Sequence, residues 1–499
     1  MSQTISGAIA WWARMRGDQP AVVLAGDVLT YRDLRDWSER IAAMLADAGL
    51  QPGDRVAICS TNSLAYVALI FGTIRAGGIV SPVNFRYKAR EIAELCETTE
   101  PRIVFAAPEQ SEVVRQAGLT VRLMDDIVAL RAGARVSVAH DPASDAAVVI
   151  IATSGSTAKP KGVVYTNRTM TAYAANWAVE ESAVGPGSRV ITLAPLNTSA
   201  GFVQLVHYTV LGCSLYMEPQ FDPLRALNLI QHERIACFAA VPAFFEFIAA
   251  LPEFASADLS SLRLATSGGS RVSRQLLDAW RERGVVIRQI YGQTEVGGNA
   301  TIMPEHLALA SPDKCGWGGA FIDIRVVRPD GSDCAAGEQG EIVMRSPGMM
   351  VGYWRNPEET AKVLRDGWLY SGDVGVMDEN GLLTFIDRLK DLIISGGLNI
   401  SAAEIEAVAC EFPGVAEALA IAAPDPKFGE TPLLVYHGPV ELDVTALIGH
   451  CDANLSNYKV PRYVAFSPEP LPRLATGKLS KVAVREAYAG AHERLPKVR

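Results

Sequence analysis

The segment Ala147-Val-Val-Ile-Ile-Ala152 is a short continuous apolar run, and it opens directly onto Thr153-Ser-Gly-Ser-Thr-Ala-Lys-Pro-Lys-Gly-Val163. An unbroken run of this length is what a parallel strand buried on both faces gives, because neither side of such a strand meets water. The stretch after it gathers small hydroxyl residues, a glycine and two lysines. Backbone N–H groups, hydroxyls and an ammonium presented together at a strand end make a cradle for a polyphosphate. Taken alone, the stretch also reads as a Ser/Thr/Gly surface turn with two solvated lysines. A Walker-type loop does not fit, since it needs glycine, four residues, then Gly-Lys and Ser or Thr. Nothing around Gly155 supplies that spacing, and Gly477-Lys478 is followed by Leu479 with Pro472 where the leading glycine should stand.

Strand-like and helix-like segments alternate through most of the chain. Arg55–Cys59 precedes a helical pattern over Leu64–Gly77, Arg189–Ala194 precedes the apolar Phe202–Val210, and Leu262–Thr266 precedes the amphipathic Ser273–Arg283. This predicts an α/β fold. After about Asp330 the texture changes to glycine-punctuated hairpins, Arg328-Pro-Asp-Gly331 and Asp378-Glu-Asn-Gly381, which predict a β-rich subdomain. At 499 residues, 49% hydrophobic and 20% charged, the chain is too long for one core and should form two or more globular units.

A net charge of -9 without blocks of like charge argues against a nucleic-acid or anionic-membrane surface, so anionic ligands must be met by local positive sites. The N-terminal residues lack a signal-peptide pattern, and the most apolar stretch, Leu64–Val80, is broken by Arg75 and Gly77-Gly78, which disfavours a transmembrane span. Eight scattered cysteines without a Cys-x-x-Cys pair read as buried apolar side chains in a reducing cytoplasm.

Further chemistry-bearing stretches follow: Ser267-Gly-Gly-Ser270, Tyr291-Gly-Gln-Thr-Glu295, Tyr370-Ser-Gly-Asp-Val-Gly375, Asp387-Arg-Leu-Lys-Asp391 continuing to Ile400, and Pro472-Arg-Leu-Ala-Thr-Gly-Lys478. Singly, each has a plain structural reading: a strand ending in a capped helix at Tyr291, an Asp in a tight turn at Asp373, a surface ion pair at Arg388, a solvated charge at Lys478. Together with Thr153–Val163, in this order and at these intervals, they resemble the motifs of the adenylate-forming superfamily, which includes acyl-CoA synthetases, coumarate ligases, luciferase and peptide-synthetase adenylation domains. The resemblance covers essentially the whole chain. It implies a large α/β N-terminal domain with a β-rich subdomain, residues 1–388, and a small mobile α+β C-terminal domain, residues 389–499, that carries the adenylation lysine. No carrier domain is expected after Lys478.

The implied activity is that of an acid:CoA ligase using ATP, Mg2+ and CoA. Forming an acyl adenylate builds negative charge on phosphoryl oxygens and on departing pyrophosphate, so the chain must offer cations and N–H donors. By the resemblance, Thr153, Ser154, Gly155, Ser156, Thr157 and Lys161 bind the β- and γ-phosphates. Gly269, Ser270, Tyr291 and Gly292 border the adenine, with Tyr291 stacked on it. Thr294 bonds the α-phosphate, Glu295 holds Mg2+ with Thr157 as a further metal contact, and Asp373 and Arg388 contact ribose or phosphate. Lys478 bridges carboxylate and α-phosphate during adenylation, Lys390 is the hinge, and Gly397 lines the pantetheine path after the lid rotates. Ala158 stands where the family usually has glycine; if that backbone needs a positive φ, the change costs about 1 kcal/mol.

The resemblance places the acyl site around Asn197, Thr198, Gly268, Gly297, Gly298 and Trp317. Asn197 and Thr198 stand where relatives often have Phe-His, predicting a wider or more polar junction between acyl site and thiol path. No Arg or Lys occurs between Pro195 and Gln204, which disfavours a dicarboxylate. A medium-chain, alicyclic or aromatic monocarboxylate is expected. Transfer to a free-standing carrier protein and a non-catalytic nucleotide-binding role remain alternatives. The expected partners are a small carboxylic acid, ATP and CoA, without nucleic acid or integral membrane contact, and a homodimer is compatible with the chain.

Overall fold

Residues 55–83 show how the alternation folds. Arg55–Cys59 is a strand, Ser63 caps the helix Leu64–Arg75 by accepting from Tyr66 N, and Ile79–Val83 returns parallel to the first strand, Arg55 beside Ile79. The helix stops near Gly77, whose φ of +79° turns the chain back. Nearly every side chain of this helix is buried, which places it inside the molecule and not on its surface.

The computed structural model describes residues 4–136, 142–153, 161–270, 272–473 and 479–499. Contacts divide the chain into two units, Met1–Ile324 with Val343–Tyr370, and Arg325–Ile342 with Ser371–Arg499. No described helix is long and apolar enough to cross a membrane.

The nine-stranded and the seven-stranded sheets both lie in the first unit. The nine-stranded sheet runs, edge to edge, through Trp317–Gly318, Gly298–Ile302, Ile287–Gln293, Leu264–Ser267, Cys237–Ala240, Arg189–Thr192, Ser214–Met217, Pro20–Leu24 and Asp27–Thr30. Its central strands are parallel, and antiparallel pairs close both edges. The seven-stranded sheet contains Ala147–Thr153, which lies parallel to Ile79–Val83 on one side and antiparallel to Lys161–Thr166 on the other. The apolar run is thus a buried strand, but only one of its neighbours is parallel.

One face of the large sheet packs on an apolar cluster that includes Ile191, Phe238, Ala265 and Ile287 from its strands and Trp280 from the helix Arg274–Glu282. Trp280 meets Phe245 edge-on with ring centroids 5.0 Å apart, and its indole N–H donates to Phe245 O at 3.2 Å. The aromatic bulk is buried while its polar atom is satisfied.

In the second unit, Glu417–Asp425 and Gly429–His437 form a long antiparallel hairpin within a sheet. Ala418, Ala420, Leu434 and Tyr436 face one cluster, with the helices Ala402–Cys410 and Val444–Asn454. Leu419, Ile421, Leu433 and Val435 face another, with Val484 and Ala491. The two-residue alternation of the strands divides these side chains between the two faces. Asp387 is buried and accepts from Ser401 Oγ at 3.0 Å and Ala403 N at 2.9 Å, tying the strand Leu383–Arg388 to the first turn of Ala402–Cys410.

Back in the first unit, the helices Asn167–Glu180 and Ser199–Val210 pack together. His207 sits at their contact, its ring 5.5 Å from Tyr173, 5.7 Å from Trp177 and 4.8 Å from Tyr208. Burial pushes this imidazole from an ordinary 6.5 down to about 3. The unfolded chain takes up a proton near 6.5 and the folded chain does not until about 3. Stability from this group is therefore complete above the upper value and declines as pH falls through the window, by up to roughly 1.4 kcal/mol per pH unit. Melting temperatures of the wild type and His207→Phe should shift in favour of the variant as pH drops from about 7 to about 5; a constant difference would mean that His207 does not titrate on unfolding.

Candidate active site

The predicted phosphate loop starts where the strand Ala147–Thr153 ends and finishes where Lys161–Thr166 begins, with Thr153 opposite Lys161. Ser154, Gly155, Ser156, Thr157 and Ala158 lie outside the described residues, as does Lys478. Thr153 Oγ1 donates to Lys161 O at 3.4 Å. The Lys161 ammonium pairs with Glu359, which stands on the helix Pro357–Val363 and also binds Lys362. These two ammonium groups hold the Glu359 carboxyl down at about 2. Lys161 Nζ also lies 5.1 Å from the centre of the Tyr353 ring.

Tyr353 connects this ion pair to the second motif. Its hydroxyl donates to Glu295 Oε1 at 2.9 Å. Thr294 and Glu295 occupy a short 3-10 turn, Thr294–Val296, that follows directly on the strand Ile287–Gln293. The turn is pinned through its backbone: the buried Tyr165 hydroxyl donates to Thr294 O, and Met350 N donates to Glu295 O at 2.9 Å. The Thr294 hydroxyl and Glu295 carboxylate are thereby held at the C-terminal edge of a parallel sheet, the place where open α/β sheets present ligands.

Glycines make that edge possible. A Cβ on Gly292 would stand 1.9 Å from Gly298 O, and one on Gly297, where φ is +100°, would stand 2.4 Å from Gly348 O. Either side chain would force the strand end apart. Gly298 borders Tyr173 and Val203, while Gly268 follows the strand Leu264–Ser267 against Ile290 O. Gly269 and Ser270 continue from it, Gly269 with φ +82°. Tyr291 is buried, its N–H donating to Thr301 Oγ1 at 3.0 Å. Trp317 is 39% exposed on the strand at the sheet edge.

Thr198 has a definite structural task. Its Oγ1 donates to Pro195 O at 2.7 Å and accepts from Gly201 N at 3.2 Å, capping Ser199–Val210. A Cβ at Gly201 would meet Pro195 O at 2.1 Å, so this turn fixes both residues. Asn197 Oδ1 is buried without a hydrogen-bond partner among the described residues. Asn62 clamps the same segment, accepting from Leu196 N at 2.9 Å and donating to Ala194 O at 3.3 Å.

In the second unit, Asp373 and Arg388 are direct partners across an antiparallel strand pair, with Arg388 Nε 3.7 Å from Asp373 Oδ1. Asp373 is 6% exposed. Lys390 lies in the turn Leu389–Asp391, and burial, with Arg388 nearby, lowers its ammonium from the usual lysine range. Gly397 lies with Gly396 in the tight turn between the strands Ile393–Ser395 and Leu398–Ile400, φ +82° and +57°.

Sequence reasoning passed over Tyr353, Glu359, Tyr165 and Asn62. Glu359 lies 198 positions from Lys161 and Tyr353 lies 58 from Glu295. The nearest local signal was Pro357-Glu-Glu, an ordinary helix start with acids in its first turn.

Within the first unit a Thr-Glu turn stands at a parallel-sheet edge and is linked through Tyr353 to the cationic start of the strand Lys161–Thr166, and within the second a buried Asp is paired with an Arg. The chain matches the AMP-binding enzyme family over residues 9–354 and the AMP-binding enzyme C-terminal domain over 404–478, and it belongs to that family. It is an acid–thiol ligase of the adenylate-forming class, whose members use ATP, Mg2+ and CoA. It is 35% identical to a feruloyl-CoA synthase of Amycolatopsis sp, over 95% of this chain and 97% of the relative. It is 33% identical to a long-chain-fatty-acid–CoA ligase of Mycobacterium tuberculosis, over 96% and 98%. Among solved structures, o-succinylbenzoate CoA synthetase from Bacillus subtilis, in complex with its acyl-adenylate intermediate, superposes with a TM-score of 0.88 at 25% identity, covering 96% of this chain and 97% of that one.

The Glu359 carboxylate stands where it competes with any anion approaching Lys161. Glu359→Gln should therefore lower the Kd for ATP several-fold at low salt, with the gain shrinking as ionic strength rises. Calorimetric titration checks this, and unchanged or weaker binding would show that Glu359 positions Lys161 for the phosphates instead.

Proposed function

We propose that the protein is an ATP-dependent ligase joining a medium-chain, alicyclic or aromatic monocarboxylate to CoA through an acyl adenylate. The observation that carries this reading is the pinned Thr294–Glu295 turn, walled by Gly292, Gly297 and Gly298, at the C-terminal edge of the parallel sheet. In the first half-reaction a carboxylate oxygen attacks the α-phosphorus, the bond to the bridging oxygen breaks, and pyrophosphate leaves with the electron pair. In the second, the CoA sulfur attacks the acyl carbon, the carbon–oxygen bond to AMP breaks, and the thiol proton passes to solvent.

Thr294 bonds the α-phosphate and Lys161, exchanging Glu359 for phosphate oxygens, offsets the charge of the polyphosphate. Thr153 to Thr157 provide the cradle, and Tyr291 with Gly268, Gly269 and Ser270 borders the adenine. Asp373 accepts from the ribose hydroxyls and Arg388 stands beside it. One carboxylate at Glu295 fits a hard divalent ion that takes its other ligands from phosphate and water, and no group of three or more His, Cys, Asp or Glu able to hold a metal occurs among the described residues. Bound there, Mg2+ would neutralise charge on the phosphates. Lys478 serves adenylation alone, and rotation of residues 389–499 about Lys390 lets Gly397 serve the thiol step.

The range of acids is supported by the lack of Arg and Lys between Pro195 and Gln204 and by relatives named for ferulate and, at 32% identity, for indoleacetate. A second reading, a carrier protein as acceptor, is favoured by one relative, a fatty acid–acyl-carrier-protein ligase, also 32% identical. Thioester formation on CoA against a pantetheinylated carrier separates the two.

Lys478→Ala should cripple pyrophosphate release while largely sparing conversion of a supplied acyl adenylate to thioester. Equal loss in both half-reactions would sink the alternating lid. Glu295→Gln keeps the shape and removes the charge, so the apparent Mg2+ requirement should rise and turnover fall by about one to two orders of magnitude. A titration of rate against Mg2+ that matches the wild type would move the ion elsewhere.

A further inference from the structure

Strand register explains how Tyr353 comes to stand between two charges. Gly352–Tyr353 pairs antiparallel with Lys161–Thr166, Tyr353 beside Val163 and Gly352 beside Val164. Side chains two positions apart on a strand share a face, so Lys161 lies diagonally across from Tyr353, and its ammonium stands 5.1 Å from the ring centre. The backbone on both sides of the tyrosine is held. Val351 N donates to Val164 O at 3.0 Å, Tyr353 N to Thr360 Oγ1 at 2.9 Å, and Trp354 N to Gly162 O at 2.7 Å. A Cβ at Gly352 would stand 3.0 Å from Thr360 Cγ2, so the chain runs close against the helix Pro357–Val363 here. Tyr353 is 9% exposed, and with its backbone tied and its ring packed, the phenol hydroxyl is a fixed donor.

The carboxylate it meets is fixed as well. Met350 N donates to Glu295 O at 2.9 Å, and the Tyr165 hydroxyl donates to the carbonyl before it, Thr294 O. The Tyr353 hydroxyl donates to Glu295 Oε1 at 2.9 Å. A hydrogen bond to an ionised acceptor is one of the stronger kinds, and this one ties a single carboxylate oxygen to a donor that cannot follow if the carboxylate turns. Among the described residues Glu295 Oε2 has no hydrogen-bond partner. A cation that meets Glu295 is thereby offered one oxygen.

One oxygen and two oxygens suit different ions. Mg2+ holds its ligands at about 2.0–2.1 Å in a near-ideal octahedron and takes phosphate oxygens and waters alongside few carboxylates. Ca2+ is larger, takes about six to eight oxygens at about 2.3–2.6 Å, and readily accepts both oxygens of one carboxylate. To grip Ca2+ with both oxygens, Glu295 must release Tyr353 and leave a buried phenol hydroxyl unpaired, which is costly. Mg2+ requires no such change.

We propose that Tyr353 determines specificity for the metal: by holding Oε1 it limits Glu295 to ligation through one oxygen and so favours Mg2+ over Ca2+. This rests on the reading of Glu295 as the metal contact, and the two are tested apart.

Tyr353→Phe removes the hydroxyl and keeps the ring beside Lys161, while Tyr353→Met, which also lacks a donor, serves if the first fails to fold. Mg2+ and Ca2+ are each titrated calorimetrically into the protein saturated with α,β-methylene ATP, which cannot release pyrophosphate, with the analogue alone as reference. Infrared difference spectra, metal-bound minus metal-free, read the separation between the antisymmetric and symmetric carboxylate stretches, which is wide when one oxygen ligates and narrow when both do. The same spectra of Glu295→Gln identify the bands of Glu295. The ratio of the Ca2+ to the Mg2+ dissociation constant should fall by about tenfold in Tyr353→Phe, the scale set by one hydrogen bond to a charged group. In that variant Ca2+ should give the narrow separation and Mg2+ the wide one, whereas the wild type gives the wide one with both. If Glu295→Gln weakens both ions but the folded Tyr353 variants keep the wild-type ratio and separation, the proposal is overturned and Tyr353 only packs. If Glu295→Gln binds both ions as the wild type does, the ion is not at Glu295, and the metal reading falls together with the proposal.

Discussion

A strand with neighbours on both sides and apolar cover on both faces has nowhere to place polar chemistry except at its ends. That constraint organises the first unit. Ile191, Phe238 and Ala265 fill one side of the large sheet with hydrocarbon, and the helix Ser199–Val210 covers the other. Polar and glycine residues accordingly collect where strands stop: Thr153, Ser267 with Gly268, and Gln293 with Thr294 and Glu295. Of the proposed contacts of this unit, Gly268, Gly269, Ser270, Thr294 and Glu295 follow a strand end and Lys161 begins a strand, while Tyr291 and Gly292 lie in the last residues of Ile287–Gln293.

Position at a strand end does not by itself orient a side chain. Orientation comes from close backbone approach and from buried hydroxyls. The contact of Gly292 with Gly298 leaves no room for any Cβ, so the turn after Gln293 is defined by backbone packing. Tyr165 and Met350 then hold the Thr294 and Glu295 carbonyls of the turn, and the Tyr353 hydroxyl meets the Glu295 carboxylate. Thr198 obeys the same economy. Its hydroxyl is committed to the helix cap, whereas Oδ1 of the neighbouring Asn197 is buried without a hydrogen-bond partner among the described residues.

The pairing of Lys161 with Glu359 adds an electrostatic layer. A lysine held among partly buried groups is costly to leave alone, and Glu359 satisfies it with a charge of the sign that a phosphate carries. Tyr353 sits between this pair and Glu295, with its ring near the ammonium and its hydroxyl on the carboxylate. The ammonium of Lys161 and the carboxylate of Glu295 are thus linked through one aromatic side chain, and each has a protein partner. In the second unit Asp373 and Arg388 hold one another in the same manner.

Local patterning was enough to establish the α/β class, the strands at 55–59 and 147–152, the hairpin turns at Gly331 and Gly381, and the motif order that identified the family, because apolar periodicity and glycine placement act over a few residues. Helix limits shifted only slightly: the expected 64–77 ends at Arg75, and the apolar 202–210 extends back to Ser199 because Thr198 caps it. Only the tertiary structure decided that Ala147–Thr153 has one parallel and one antiparallel neighbour, that Glu359 reaches Lys161, and that Tyr353 reaches Glu295. Those relations join residues far apart in the chain, and sheet order and register determine them, whereas side-chain periodicity carries no information about which strand lies next to which.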